Sequence, residues 1–229
     1  MKNHFWFLSL GLASVSISVS QAWAVPMPMP IRVGSFEVPE NETTAGPAFP
    51  GHAYSFEVEL KAGERLSFAT MYGVSNDWFF STTRGISAQD LKYNQALSKV
   101  GIFDAGTEVD QNPSNAPDTA GNQTAPNTGL ADPVAYARGL SSFPSFQASN
   151  FIKVESRQIA RDRYLVRLFV LAQSPTGLSP GVFWVTNAVN PAHLVFLSGS
   201  PIDPATGLER IAEDGNHLPL LEYLRGLTD

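Results

Sequence analysis

Three carboxylates lie close together in the segment Phe103-Asp-Ala-Gly-Thr-Glu-Val-Asp110, directly after an apolar run. Asp104, Glu108 and Asp110 are spaced around a glycine, a residue that permits a sharp turn. Hard cations such as calcium take about six to eight oxygen ligands and tolerate irregular geometry. Carboxylates, backbone carbonyls and the Thr107 hydroxyl in one loop therefore make this segment a candidate cation site.

A second acidic turn, Ser75-Asn-Asp77, comes just before the aromatic run Trp78-Phe-Phe80. If the strands beside the two turns pair, the turns lie at the same end of the fold. The acidic loop is not an EF-hand, because glycine stands third in it and Asn115 occupies the twelfth place, where an EF-hand has Glu. Asn, Asp and Gly are also ordinary turn formers, so the residues alone leave open two turns that bind no metal.

These two segments resemble motifs of the spondin N-terminal domain family. Ser75–Phe79 is similar to the family's Ser-Pro/Asn-Asp-Trp-Phe segment, and Phe103–Glu108 to its aromatic-Asp-Ala-Gly-Thr-Asp/Glu segment. A weaker similarity covers Ala160–Leu168, and Gly207–Asn216 is similar to a segment of bacterial members. The resemblance spans roughly residues 50–170, and it rests on the two acidic motifs occurring at the family's spacing.

The resemblance implies an antiparallel β-sandwich similar to a C2 domain, with a calcium ion in the loops at one end. Carried across motif by motif, it implies Asp77, Asp104 and Glu108 as carboxylate ligands of Ca²⁺. Asp110 and backbone carbonyls are possible further donors. Animal members are extracellular matrix proteins with cysteines and thrombospondin-type repeats, and this chain has neither. Matrix, integrin or polysaccharide binding is therefore not transferred.

The chemistry-bearing residues favour a binding protein over an enzyme. The chain has no H-E-x-x-H motif and no glycine-rich phosphate loop. It has no cysteine, which excludes thiol catalysis and cysteine metal sites. We predict a non-enzymatic module for adhesion or ligand recognition. Two alternatives stay open: a secreted hydrolase acting on envelope or extracellular polymers, and a structural envelope protein that binds no metal.

Strands must position the acidic turns. Tyr54–Leu60 and Arg65–Tyr72 alternate apolar and polar residues around a short turn, which predicts a hairpin. Tyr164–Leu171 is the longest apolar run after the N-terminal region and is predicted as a central strand. Further apolar or β-rich segments are Ile31–Val38, Trp78–Thr82, Phe151–Val154, Gly181–Val185 and His193–Leu197. These patterns predict a single all-β sandwich of about eight strands.

Three short helices are expected around these strands. Ser87–Ser98 begins with Ser87 as N-cap and an acid at the capping-box position. Gly207–Asp214 and Leu218–Leu227 have apolar residues on one face, and they predict two C-terminal helices that cover part of the sandwich. Residues 110–150 form a long polar loop rich in Asn, Pro and Gly.

Aromatic residues offer candidate contact surfaces. In the Trp78-Phe-Phe80 run, alternate members are expected in the core, because successive side chains of a strand point to opposite faces. Phe143, Phe146 and Phe151 lie around the long loop and are expected at the surface, since loops often carry binding function.

The N-terminal region predicts export. Lys2, the apolar stretch Phe5–Val19 and the Ala22-Trp-Ala24 cleavage pattern occur in the order of a secretory signal peptide. The apolar stretch is too short for a transmembrane helix of about 20 residues. The predicted organisation is a signal peptide at 1–24, an extended Pro-rich leader at 25–50 and a β-sandwich domain at 51–229 that contains the 110–150 loop.

The composition limits the partners. The net charge is −6, and it becomes more negative when Lys2 leaves with the signal peptide. This charge argues against nucleic-acid binding through a broad basic surface. We expect a protein that is periplasmic or secreted, with no membrane span after signal cleavage. Its expected partner is an unidentified extracellular or envelope protein or glycan.

Overall fold

The computed structural model describes residues 29–111, 113, 117–125, 128–140 and 144–228. Within these ranges the chain forms ten β-strands and three α-helices. The strands are Arg32–Phe36 (β1), Ala53–Glu59 (β2), Arg65–Met71 (β3), Trp78–Thr82 (β4), Ile86–Ser87 (β5), Val100–Asp104 (β6), Arg138–Gly139 (β7), Ile152–Ala160 (β8), Arg163–Val170 (β9) and Gly181–Thr186 (β10). The helices are Ala88–Lys92 (α1), Leu208–Asp214 (α2) and Leu218–Gly226 (α3). The predicted signal peptide lies outside the described residues.

Two antiparallel sheets make up the fold, which confirms the all-β sandwich. The larger sheet has the order β1-β10-β3-β4-β6-β7, with β5 paired to β3. The smaller sheet has the order β2-β9-β8, so β9 is a central strand as predicted. Ten strands are present in the described chain where about eight were expected, and β5 and β7 have only two residues each.

The main hydrophobic core lies between the sheets. Phe56, Val166 and Leu168 of the smaller sheet belong to the same buried cluster as Phe68 and Phe80 of the larger one. Full burial of one such side chain stabilises the fold by about 1.5–3 kcal/mol. This core fixes how β4 and β6, the strands beside the acidic turns, sit in the protein.

The outer face of the larger sheet is also covered. Phe79 and Trp184 belong to a second buried cluster with Ile211 of α2 and Leu220 of α3, which confirms the two C-terminal helices. Because both faces are covered, all three aromatic residues of the 78–80 run are buried. The expectation that only alternate members are in the core is therefore wrong.

The predicted hairpin of the Tyr54 and Arg65 segments is wrong. β2 pairs with β9 in the smaller sheet, whereas β3 pairs with β10, β4 and β5 in the larger sheet. The short turn between them crosses from one sheet to the other. A local pattern shows that two strands follow one another, but it does not show whether they are neighbours in one sheet.

The predicted strand at His193–Leu197 is also wrong. Pro191–Leu194 forms a 3₁₀ turn instead. Ala192, Val195 and Phe196 are buried, and their spacing of three and four residues is helical. Proline at the first position of the turn favours this start, because its fixed φ suits a helical conformation.

The capping box at Ser87 is confirmed, but the helix that follows it is shorter than predicted. Asp90 N donates to Ser87 Oγ at 3.1 Å, and Ser87 N donates to Asp90 Oδ2 at 2.8 Å. α1 ends at Lys92, and Asn94 follows with a φ of 54°, a left-handed conformation that stops the helix. The chain then continues as a 3₁₀ turn at Ala96–Lys99.

The strand predicted at Ile31–Val38 is present as β1. It pairs along its whole length with β10, so this part of the 25–50 range belongs to the larger sheet. None of the helices in the described part of the chain has the length and apolar character that a membrane span needs.

Candidate metal centre

The pairing of β4 with β6 brings the two acidic turns together. Trp78 lies opposite Asp104 in this pair, and Asp77 directly precedes Trp78. The backbone N of Ala105 donates to the backbone O of Asp77 at 3.0 Å, which extends the ladder by one step. The expectation that the turns share one end of the sandwich is confirmed.

Asp77 is fully buried in this arrangement. Its Oδ2 accepts hydrogen bonds from the backbone N of Thr107 and of Glu108, each at 3.1 Å, and from Thr107 Oγ1 at 3.3 Å. Its Oδ1 has no hydrogen-bond partner among the described residues. One carboxylate oxygen therefore holds the acidic loop in place, while the other is buried and accepts no hydrogen bond from the described residues.

Asp104 is fully buried as well and is fixed by its own turn. Its Oδ1 accepts a hydrogen bond from Gly106 N at 2.6 Å. Gly106 has a φ of 69°, and a Cβ atom there would lie 2.4 Å from the backbone O of Tyr136. Only glycine fits this position without strain, so the glycine of the motif shapes the loop around Asp104.

Asp110 completes a cluster of three carboxylates. One oxygen each from Asp77, Asp104 and Asp110 lies within 4.8 Å of the others. Two oxygens on opposite sides of a calcium ion would be about 4.6–5.2 Å apart, given Ca–O distances of about 2.3–2.6 Å. A single ion can therefore contact all three side chains. Asp110 is exposed, so the cluster opens to solvent on that side.

The segment 130–138 forms the other wall of the centre. Val109 N donates to the backbone O of Leu130 at 2.7 Å, and Asp132 N donates to the backbone O of Thr107 at 3.1 Å. β7 then pairs with the end of β6, with Arg138 opposite Asp104. This pairing places one guanidinium among the carboxylates of the centre.

Burial and mutual repulsion make the carboxylates hard to ionise. Burial, together with the charge of Asp104, raises the pKa of Asp77 to about 8. Burial, together with the charge of Asp110, raises the pKa of Asp104 to about 6. Both shifts have the direction expected when buried like charges lack a sufficient counter-charge.

Glu108 does not belong to the three-carboxylate cluster. Its Oε1 accepts from Gly129 N at 2.8 Å, and its Oε2 accepts from Asn76 Nδ2 at 3.3 Å. Burial raises the pKa of this carboxyl. Of the predicted ligands, the structure brings together Asp77 and Asp104, with Asp110, the possible further donor, beside them. Glu108 contributes its backbone N to Asp77, so its role as a carboxylate ligand stays a prediction.

Some candidate functional residues were missed because they lie far in the sequence from the two acidic turns. Arg138 and Asp132 face the cluster from the far end of the polar loop, and no short motif marks them. Glu213 of α2 is buried behind the acidic loop, and burial raises its pKa to about 7. A single polar position on a helix gives no sign that it faces inward.

Two of the three aromatic residues expected at the surface are placed differently. Phe151 is buried in the main core. Phe146 packs edge-on against Trp78, with ring centroids 4.8 Å apart. Phe143 lies outside the described residues. Exposed apolar side chains instead lie in the segment that pairs with the acidic loop, and they are Leu130, Val134 and Tyr136.

The histidines on which a hydrolase site would depend have separate partners. His52 Nδ1 lies 2.8 Å from Glu42 Oε1, His193 Nε2 lies 2.8 Å from Asn190 Nδ2, and His217 Nε2 lies 3.2 Å from Glu37 Oε1. None of these three contacts is to a serine, and Glu37 Oε1, the partner of the buried His217, also accepts a hydrogen bond from Ser35 Oγ at 2.7 Å.

One serine has the spacing of a nucleophile elbow, and this motif was missed from the sequence. Gly177-Leu-Ser179-Pro-Gly181 matches G-x-S-x-G. The segment leads into β10, whereas an elbow connects a strand to a helix. Ser179 Oγ accepts from Met71 N at 3.0 Å and donates to the backbone O of Pro180 at 2.7 Å. Its hydroxyl therefore stabilises the local backbone.

Comparison with known proteins finds no matching family model, no matching curated protein and no matching solved structure. The resemblance to the spondin N-terminal domain family therefore rests on the sequence similarities described above, chiefly the two acidic motifs.

Proposed function

We propose that the protein is an exported, non-enzymatic, calcium-binding β-sandwich module that recognises an extracellular or envelope protein or glycan. The observation that carries this proposal is Asp77. Its side chain is fully buried in the cluster with Asp104 and Asp110, and its Oδ1 has no hydrogen-bond partner within the described chain.

Buried charge favours a bound cation at this centre. A carboxylate removed from water costs several kcal/mol unless an opposite charge or hydrogen bonds compensate it. Asp77 and Asp104 are both fully buried, and the described centre has one guanidinium, that of Arg138, against the carboxylates of Asp104, Asp110 and Asp132. A divalent cation between these side chains would supply the missing positive charge.

The donor set favours calcium over other divalent ions. The three clustered side chains offer only oxygen atoms, which suits hard cations and does not suit zinc. Their loops are irregular, and calcium tolerates such geometry better than magnesium, which requires a near-ideal octahedron. The exposed position of Asp110 leaves room for water or a partner's oxygen to complete the coordination.

The role of the ion would be to stiffen a recognition surface. It would connect the turn at Asp77 to the loop of Asp104 and Asp110, and that loop is paired with the segment that exposes Leu130. Leu130 is 74% exposed, and Val134 and Tyr136 are 43% and 40% exposed. These side chains offer apolar contacts beside a cation with open coordination positions. Extracellular modules use calcium sites with Kd values of about 10⁻⁴–10⁻³ M, which suits an exported protein.

A calorimetric titration tests the proposal. Chelator-stripped protein is titrated with calcium chloride and, separately, with magnesium chloride, and its melting temperature is measured with each ion. We expect about one calcium per chain, weaker magnesium binding and a higher melting temperature with calcium. Asp77→Asn should weaken calcium binding by about 100-fold, because it removes a buried negative charge from the ligand set.

Glu222→Gln provides the matched control, because Glu222 is an exposed acid on α3 outside the cluster. This variant should bind calcium as the unmodified protein does. Absence of both heat and stabilisation at millimolar calcium in the unmodified protein would refute the calcium proposal. Export is tested separately by N-terminal sequencing of the protein recovered outside the cytoplasm, which should begin at Val25.

A further inference from the structure

Arg138 makes three ionic contacts within the acidic centre. Its Nε lies 2.5 Å from Asp104 Oδ2, and its Nη2 lies 3.0 Å from Asp110 Oδ2 and 2.8 Å from Asp132 Oδ2. The backbone fixes this position, because β7 pairs with β6 and sets Arg138 opposite Asp104. The guanidinium is therefore part of the built structure of the centre.

Two of these contacts involve the side chains that a cation would need. Asp104 and Asp110 belong to the three-carboxylate cluster, whereas Asp132 does not. Among the described residues, no N–H or hydroxyl group donates an aligned hydrogen bond to Asp104 Oδ2, so its contact with Arg138 is an ion pair by distance alone. Asp104 Oδ2 can therefore exchange the guanidinium for a metal ion. No backbone N–H group loses its acceptor in that exchange.

We propose that Arg138 is a built-in counter-ion that competes with calcium and sets the affinity of the centre. This inference rests on the proposed calcium binding. In the metal-free protein the guanidinium offsets part of the charge of Asp104 and Asp110 and keeps the loop closed. In the calcium-bound protein it retains Asp132 as a partner, and its positive charge opposes the ion.

This role predicts that loss of the positive charge at Arg138 strengthens calcium binding and lowers the melting temperature of the metal-free protein. Removal of the charge at Arg138 eliminates a repulsion between like charges close to the metal. Calcium should then bind about tenfold more tightly, because a unit positive charge a few ångströms from a divalent ion repels it even through water. The same removal leaves Asp104, Asp110 and Asp132 without their cation, so the melting temperature in chelator should fall.

The test compares Arg138→Gln with Arg138→Lys. Calcium chloride is titrated into each chelator-stripped variant by calorimetry, and melting is followed in chelator and in calcium. Arg138→Gln should lower the calcium Kd about tenfold and lower the melting temperature in chelator. Arg138→Lys keeps the charge, so its Kd should stay near that of the unmodified protein. Arg161→Gln is the control, since the Arg161 side chain is 95% exposed in a turn.

The outcomes distinguish failure of the Arg138 inference from failure of the calcium proposal. If the unmodified protein binds calcium and a folded Arg138→Gln binds it equally or more weakly, Arg138 only supports the loop and this inference is wrong. If the unmodified protein binds no calcium, the calcium proposal itself fails. If Arg138→Gln is unfolded in chelator, calcium should restore its circular dichroism spectrum. Failure to recover at 10-fold the calcium concentration that saturates a folded Arg138→Lys overturns the inference.

Discussion

Trp78 Nε1 donates a 2.7 Å hydrogen bond to Asp110 Oδ1, so a buried indole holds the most exposed carboxylate of the cluster. The indole itself is fixed by edge-on contacts with Phe146 and Tyr72. The aromatic residue that follows Asp77 in the sequence therefore positions another carboxylate of the cluster. This contact gives a physical reason for tryptophan at the start of β4.

Trp78→Phe should weaken calcium binding by about 3- to 10-fold, because Asp110 loses the donor that orients it. The smaller ring should also lower the stability by about 1 kcal/mol. Calorimetric titration with calcium measures the first effect, and chemical denaturation in chelator measures the second.

Trp184→Phe is the matched control for that variant. Trp184 Nε1 donates to the backbone O of Pro191 at 2.8 Å, and its ring lies in the second core behind the larger sheet. This substitution removes a similar hydrogen bond and a similar volume, so it should reduce stability without changing the calcium Kd. An equal loss of calcium affinity in both variants would show that the effect comes from general loosening of the sheet.

The residues of the centre that were predicted from the sequence, Asp77 and Asp104, lie in short motifs beside predicted strands. Asp77 and Asp104 each lie at a strand end, so pairing of β4 and β6 was enough to bring them together. The parts that were missed depend on long-range pairing. Arg138 reaches the centre only because a two-residue strand pairs at the end of a long loop, and two residues show no periodicity.

The same difference between local patterns and long-range strand pairing explains which parts of the fold were predicted. Alternation predicted β2 and β3, a long apolar run predicted β9, and turn composition marked the ends of β2 and β3. The partner of β2 is β9, more than one hundred residues later, and no local pattern encodes that choice. Glu213 was missed for a related reason, since the surface that buries it is formed by a loop distant in sequence.

Gly106→Ala should disrupt the centre through the backbone. Alanine would have to adopt a φ of 69°, and its Cβ would lie 2.4 Å from the backbone O of Tyr136. We expect a loss of about 2–4 kcal/mol in the free energy of unfolding, together with weaker calcium binding because Asp104 moves with the turn. Gly46→Ala is the control, since its Cβ would meet no atom within 4 Å. Equal stability of the two variants would contradict the assigned strain.

Glu213→Gln should stabilise the metal-free protein at high pH. Burial raises the pKa of Glu213 from 4.5 to about 7, and its Oε2 has no hydrogen-bond partner within the described ranges. A raised folded-state pKa gives stability that is fully present below about 4.5 and is lost as pH rises through about 7. In chelator at pH 8 the variant should gain up to about 3 kcal/mol, and at pH 4 it should gain nothing. Denaturation at both pH values, with Glu222→Gln as control, tests this; an equal gain at both would contradict it.

Calcium binding should strengthen as pH rises from about 6 to about 8. The pKa of Asp77 is raised to about 8 and that of Asp104 to about 6, so protons compete with calcium for these oxygens in that range. Metal-free stability should change in the opposite direction. A carboxyl whose folded-state pKa is raised stabilises the fold below its ordinary pKa of about 4, and this contribution is lost as pH rises through the raised value.

Calorimetry at pH 7 in two buffers of different ionisation enthalpy should detect about one proton released per calcium bound, because Asp77 is protonated before the ion binds. A calcium Kd that stays constant between pH 6 and 8 would show that neither buried carboxylate contributes an oxygen to the ion.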